Sequence, residues 1–171
     1  MEIRRQDDVL ELSELDPFLA ELLRQIPEST KPEGNAAAEE RLFCRPAATS
    51  EKQICKEWKQ YVEPELRHLF QTSTETVAQD LTPLNGGNSK PFANCTLRIP
   101  TKHSEAWLNT LNQARLVIAS KYGFTEGELC DHYRSPIGSR RDLGLFQVNF
   151  YGFLQEFILH EMRNGPAEND S

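Results

Sequence analysis

Helical spacing dominates the apolar positions of this chain. Phe18, Leu19, Leu22, Leu23 and Ile26 fall within about 140° of arc when each residue turns by about 100°. Asp16-Pro17 ahead of them reads as an N-cap followed by proline at the first helical position, and Pro27 as the stop. Residues 28–49 form a polar connector with one helical turn at 36–42 at most. Ser50-Glu51-Lys52-Gln53 has the pattern of a capping box. Beyond it Ile54, Cys55, Trp58, Tyr61 and Val62 share about 120° of arc. Glu63-Pro64 predicts a kink or a new helix, on which Leu66, Leu69, Phe70, Val77 and Leu81 continue the stripe.

Strand-like alternation is scarce. Cys95, Leu97 and Ile99 point to one face and Pro100 closes the run. Such a strand leaves its backbone unsatisfied unless it is paired. The apolar run at Val9, Leu10 and Leu12 supplies the partner, giving a two-stranded antiparallel ribbon of about 8–13 with 94–99. A central helix follows at 105–122, opened by Thr101 or Ser104 and closed by Gly123 in the left-handed conformation. Thr125-Glu126-Gly127-Glu128 opens a short helix to about Tyr133. A last long helix runs from about Leu143 to Arg163, with Phe146, Phe150, Phe153, Leu154, Phe157 and Ile158 on one stripe and Gly165-Pro166 as its stop. The expected fold is mainly α: a single orthogonal helical domain, residues 1–165, of five to six helices with a small β ribbon, and a disordered tail at 166–171.

The central helix carries a cation among its apolar residues. With Trp107 as origin, Leu111, Ala114, Ile118 and Tyr122 cluster around it, Arg115 lies about 80° away and Asn112 about 140° away. Asn109, Gln113, Ser120 and Lys121 make the polar side. An arginine stays charged, so burying it calls for hydrogen bonds and a countercharge. Glu161 falls in the apolar stripe of the last helix and is the candidate partner, with Glu156 and Asp131 as alternatives. Arg115 and Asn112 therefore form either a polar clamp between helices or the lining of an anion pocket.

Composition narrows the functions. A net charge of -7 argues against binding nucleic acid through phosphates. No apolar run is long enough to span a bilayer, and the N-terminus has no apolar core of a secretory signal, so a cytoplasmic location is expected. The four cysteines, Cys44, Cys55, Cys95 and Cys130, make no close pair of the kind that holds zinc. Cys44 in the connector reads as an exposed thiol, and Cys44 with Cys55 as the candidate redox pair under oxidation. Cys130-Asp131-His132 puts thiol and imidazole two residues apart, which on a helix do not face each other. His68, His103, His132 and His160 form no metal-binding pattern, and no phosphate-binding glycine loop or nucleophile elbow occurs. No cofactor or metal is expected.

The stretch "AWLNTLNQARLVIASKYGF" (106–124) resembles the tryptophan, Leu-Asn, Arg-Leu helix of an uncharacterised bacterial helical domain family, best known from actinobacteria. "LDPFLAELLRQI", the region around "RLFCRP" and "YGFLQEFILHEM" agree in order. Trp107, Leu111, Asn112, Arg115, Leu116, Tyr151, Leu154 and Gln155 match pattern positions. The resemblance implies a mostly helical fold without established enzymatic activity, some members being described as oxidative-stress regulators. The expected function is that of a non-enzymatic protein working through protein contacts or self-association, in stress-linked regulation. The alternative is a small-molecule or anion-binding module built on Asn112, Arg115, Gln155 and Glu161.

Overall fold

A computed structural model describes residues 1–32, 34–44, 46, 51–85, 95–130 and 137–164. It opens on a hairpin, Glu2–Gln6 (β1) and Val9–Leu15 (β2), whose turn places Asp7 at φ 51. Aspartate tolerates this left-handed conformation better than most residues. β2 pairs on its other side with Cys95–Pro100 (β3), so the sheet is antiparallel in the order β1-β2-β3. The expected ribbon thus has a third strand, β1, in which Ile3 is the one aliphatic residue.

β2 departs from strict alternation. Leu10 and Leu12 face the core, and so does Leu15, three positions on. The ladder against β3 slips between Leu12 and Leu15, where Glu14 takes φ 53. This bulge absorbs one residue and turns Leu15 back inward. Leu97 and Ile99 of β3 complete the buried face.

Asp16 caps Pro17–Arg24 (α1) as expected, its Oδ1 accepting from the Leu19 amide at 2.9 Å. Pro27 does not end this helix. It sits in the first turn of Ile26–Ser29 (α2), where its missing N–H leaves no bond unmade. Asn35 caps Ala36–Leu42 (α3), the turn foreseen in the connector. Lys52–Glu57 (α4) passes through a π turn at Trp58–Val62 into Glu63–Asp80 (α5). The wide turn explains how Pro64 is accommodated. The Glu63 amide reaches back to the Trp58 carbonyl, five residues away, just before the residue that has no amide to give. Thr82–Asn85 (α6) is one turn. The glycines at 86–87, the Ser50 cap, the stop at 165–166 and the tail lie outside the described residues.

Ser104–Tyr122 (α7) is the hub, packing against α2, α3, α5 and Arg140–Asn164 (α9). It starts from a 3-10 turn at Thr101–His103 rather than from a side-chain cap, and it ends on Gly123 at φ 61. Glu126–Cys130 (α8) carries the expected box: the Thr125 amide and hydroxyl each donate to Glu128 Oε2 at 3.0 Å. The described residues hold nine α segments, four more than the lower expectation, because one- and two-turn pieces count separately.

α7 and α9 run antiparallel and touch at glycines. A Cβ on Gly144 would stand 2.5 Å from Tyr122 Cε2, and one on Gly152 would stand 3.3 Å from Arg115 Cζ. Gly144 is therefore required as glycine by the aromatic ring packed on it, whereas at Gly152 the flexible Arg115 head would have to give by a few tenths of an ångström. Gly144→Ala is expected to destabilise by about 1–3 kcal/mol through overpacking, despite its better helix propensity. Gly127→Ala, which meets open space, is expected to be neutral or slightly stabilising. Urea midpoints of the two variants decide the matter; equal midpoints would mean that α7 and α9 do not approach this closely.

Candidate functional site

The polar residues of the α7–α9 seam assemble from both helices. Arg115 is half-buried, and its guanidinium lies against the bare Cα of Gly152. Its Nη1 donates to Gln155 Oε1 at 2.6 Å, and Gln155 Nε2 donates to the Leu108 carbonyl at 3.1 Å. Arg115 Nε is buried without a hydrogen-bond partner. Burial pushes the arginine pKa down, and the Glu156 carboxylate offsets part of that. The cation is thus held by an amide, with Glu156 acting through space.

The structure brings together two of the four expected cluster residues, Arg115 and Gln155. Asn112 is exposed, while Gln113, assigned above to the polar side, is buried and donates to the Asn109 carbonyl at 3.3 Å. α7 is covered on so many sides that its wheel has little polar face left. Glu161 does not meet Arg115; its backbone carbonyl accepts from Arg5 Nη1 at 2.9 Å, tying β1 to α9. Asp131 lies outside the described residues. Two cavities, of about 790 and 260 Å³, include neither Arg115 nor Asn112 in their linings. Arg115 instead bridges α7 to α9 through Gln155.

A stronger clamp joins α5 to α7, and the sequence reading missed it. Trp107 is fully buried and its Nε1 donates to Asp80 Oδ2 at 2.9 Å. His103 Nδ1 lies 3.0 Å from the same oxygen, so its ring donates from that nitrogen. Asp80 is the last residue of α5, where the helix dipole disfavours a carboxylate. The two donors compensate. An acidic residue at the negative end of a helix was the signal available in the sequence.

Tyr151 makes a third polar joint. Fully buried, its hydroxyl donates to the Leu22 carbonyl at 2.7 Å and accepts from Gln147 Nε2 at 3.1 Å. Burial, only partly opposed by the Gln147 bond, pushes its pKa up to about 12. On the surface, Thr125 and Arg141 hold the Glu128 carboxyl down at about 2.

Among the described residues no three histidine, cysteine or acidic side chains gather as metal ligands. Cys44 is exposed and Cys55 half-buried; residues 131–132 of the Cys-Asp-His run are outside the description.

The most distinctive surface lies elsewhere, on α4 and the π turn. Neither segment buries a residue. Ile54, Tyr61 and Val62, expected on a packed stripe, are 47%, 64% and 48% exposed, and Leu69 of α5 is exposed as well. Only further along α5 do Ser73 and Val77 become buried. Residues 52–69 thus extend the apolar face of α5 past the body it packs on. Phe18 and Phe153, also expected inside, are exposed singly.

Residues 3–162 match a family model described as a domain of unknown function. No curated protein and no solved structure matches the chain. Among the described residues no helix is long and apolar enough to cross a membrane.

Two outcomes test the joints. Asp80→Ala leaves the Trp107 indole N–H buried without an acceptor and is expected to cost about 1–3 kcal/mol; Asp80→Asn, which keeps an acceptor, is expected to cost less in the same denaturant series. For Tyr151 the folded pKa lies above the ordinary value near 10, so the native state holds its proton longer. Its contribution is intact below pH 10 and is lost as pH rises towards 12, at about 1.4 kcal/mol per pH unit. Unfolding curves between pH 9 and 12 should fall more steeply for the wild-type chain than for Tyr151→Phe; parallel curves would contradict the assignment.

Proposed function

We propose that this chain, which belongs to the DUF2017 family, a domain of unknown function, works without chemistry of its own as a protein-contact module. Its contact element is the arm 52–69, and the occupant of that arm is a second copy of the chain. The exposed apolar stripe carries this reading: Ile54, Tyr61 and Val62 stand about half exposed, and a partner that covered them would gain the free energy of their burial.

The pattern of the arm favours self-pairing. Ile54, Trp58, Val62 and Leu66 follow one another at steps of four, and the wide π turn keeps them in line where a continuous α-helix would let them drift. Equal steps read the same in both directions. Two arms set antiparallel about a two-fold axis at Gln60 match Ile54 with Leu66 and Trp58 with Val62, as a symmetric dimer requires. Charge agrees. Residues 51–69 hold Lys52, Lys56, Lys59 and Arg67 against Glu51, Glu57, Glu63 and Glu65, so four minus four gives zero in a chain of net charge -7. The arm thus adds little charge of its own to oppose a second copy.

Stress-linked regulation in the cytoplasm, which the family resemblance implies, is the setting in which such a module would act, with Cys44 and Cys55 as its candidate redox thiols. The reading that Asn112 and Arg115 bind an anion loses its support in their separation, Arg115 being committed to Gln155 and Asn112 pointing to solvent.

Sedimentation equilibrium of the full chain is expected to show reversible dimers at micromolar concentration. Trp58→Glu should weaken association by about ten-fold or more. Trp58 is partly covered in the monomer, so Ile54→Glu, at a side chain 47% exposed, is made alongside it: that variant should weaken association likewise and melt within about 0.5 kcal/mol of the wild type. A chain that stays monomeric throughout, or dimers indifferent to Trp58→Glu, would refute the pairing.

A further inference from the structure

The larger cavity, about 790 Å³, is a groove between the α2–α3 connection, the C-terminal turns of α7 and the N-terminal turns of α9. Its volume is that of a site for a small organic molecule. One wall is apolar, made by Val117, Ile118 and Leu143. Tyr122 lines it too, with its ring pressed on Gly144, so the floor is fixed by the same contact that sets the helix spacing.

Its charges run against those of the molecule. Lys31 and Glu28 cancel each other at 2.6 Å. Lys121 on α7 and Arg140 on α9 remain, and neither makes an ion pair among the described residues. Lys121 has its ammonium 5.7 Å from the centre of the Tyr122 ring. A chain of net charge -7 therefore presents a groove with two uncommitted cations from two different helices. The N-terminus of α9 offers nothing further: Asp142 already accepts from the Ser139 hydroxyl at 2.8 Å and the Gly138 amide at 3.2 Å. The groove does hold one unspent donor, the Ser120 hydroxyl, whose oxygen is buried with no hydrogen-bond partner.

We infer that this groove binds a phosphorylated small molecule of mononucleotide size. Two cations suit a dianionic phosphate better than a single carboxylate. The apolar wall and the Tyr122 ring suit a flat organic body, and the Ser120 hydroxyl, without a protein partner, is a donor for a directional bond. No histidine or cysteine lines the groove, and the inference is of binding alone. The site shares no residue with the arm 52–69 and is independent of the pairing proposed above.

The test is a titration of the full chain with adenosine monophosphate, adenosine and inorganic phosphate, followed by backbone amide shifts. Adenosine monophosphate is expected to saturate in the millimolar range or below, shifting Ser120, Lys121 and Gly144, with adenosine and phosphate each weaker by about ten-fold. The double variant Lys121→Glu with Arg140→Glu should lose about ten-fold in affinity while its melting temperature holds, since both side chains are exposed. Ser120→Ala should weaken binding without loss of stability. Absence of saturable shifts, equal binding of nucleotide and nucleoside, or indifference to the double charge reversal would each overturn the proposal.

Discussion

The distance between α7 and α9 governs the rest of the molecule. Gly144 and Gly152 bring α9 close to α7, and the space that a methyl group on either would need is taken by the Tyr122 ring and the Arg115 guanidinium. Helices that close bring backbone within reach of side chains, which is why Gln155 can bridge from an arginine to the Leu108 carbonyl of the opposite helix. Once that seam is set, α7 has its other faces free for α2, α3 and α5. The buried arginine is then a consequence of the seam and not its cause: a planar cation slides over a glycine where a branched apolar side chain would not fit.

The surfaces left over differ in how they are treated. Both edges of the sheet carry charge: Glu2 and Arg4 on β1, Arg98 on β3, the last paired to Glu11 of β2 at 2.9 Å. Such edges resist further strand pairing. The arm 52–69 has no such protection on its apolar stripe, although its flanks are densely charged and Arg67 is tied to both Glu39 and Glu63. Among the described residues charge thus guards the sheet edges, whereas the arm leaves Ile54, Tyr61 and Val62 about half exposed.

Much of this was legible in the residues where the governing physics is local. Asp16 before Pro17, the left-handed Gly123 and the Thr125–Glu128 box each depend on a few neighbouring backbone groups, and each formed as read. The central helix and its apolar stripe held for the same reason. β1 was not legible because Glu2–Gln6 pairs through its backbone and offers little apolar alternation. The arm misled because periodicity reveals an apolar face and not what covers it; Ile54 and Val62 have the pattern of core residues and no core above them. Asn112 and Gln113 exchanged roles because a wheel divides a helix into two faces, whereas α7 is enclosed by four elements. Gly144 and Gly152 were readable in principle, as two glycines eight positions apart inside a strong helical pattern, which propensity alone would penalise.

The bulge at Glu14 has a consequence for how the chain can change. Strand residues address the two sides of a sheet by parity: even steps keep a side, odd steps cross to the other. Leu12 and Leu15 are an odd step apart and share a side only because the bulge adds one to the count. Everything downstream, from the Asp16 cap onward, inherits that corrected count. Insertion or loss of a single residue between Leu12 and Leu15 would therefore not merely loosen a loop; it would invert the address of Leu15 and launch the first helix from the wrong side of the sheet, while a change of two residues would leave the addressing intact.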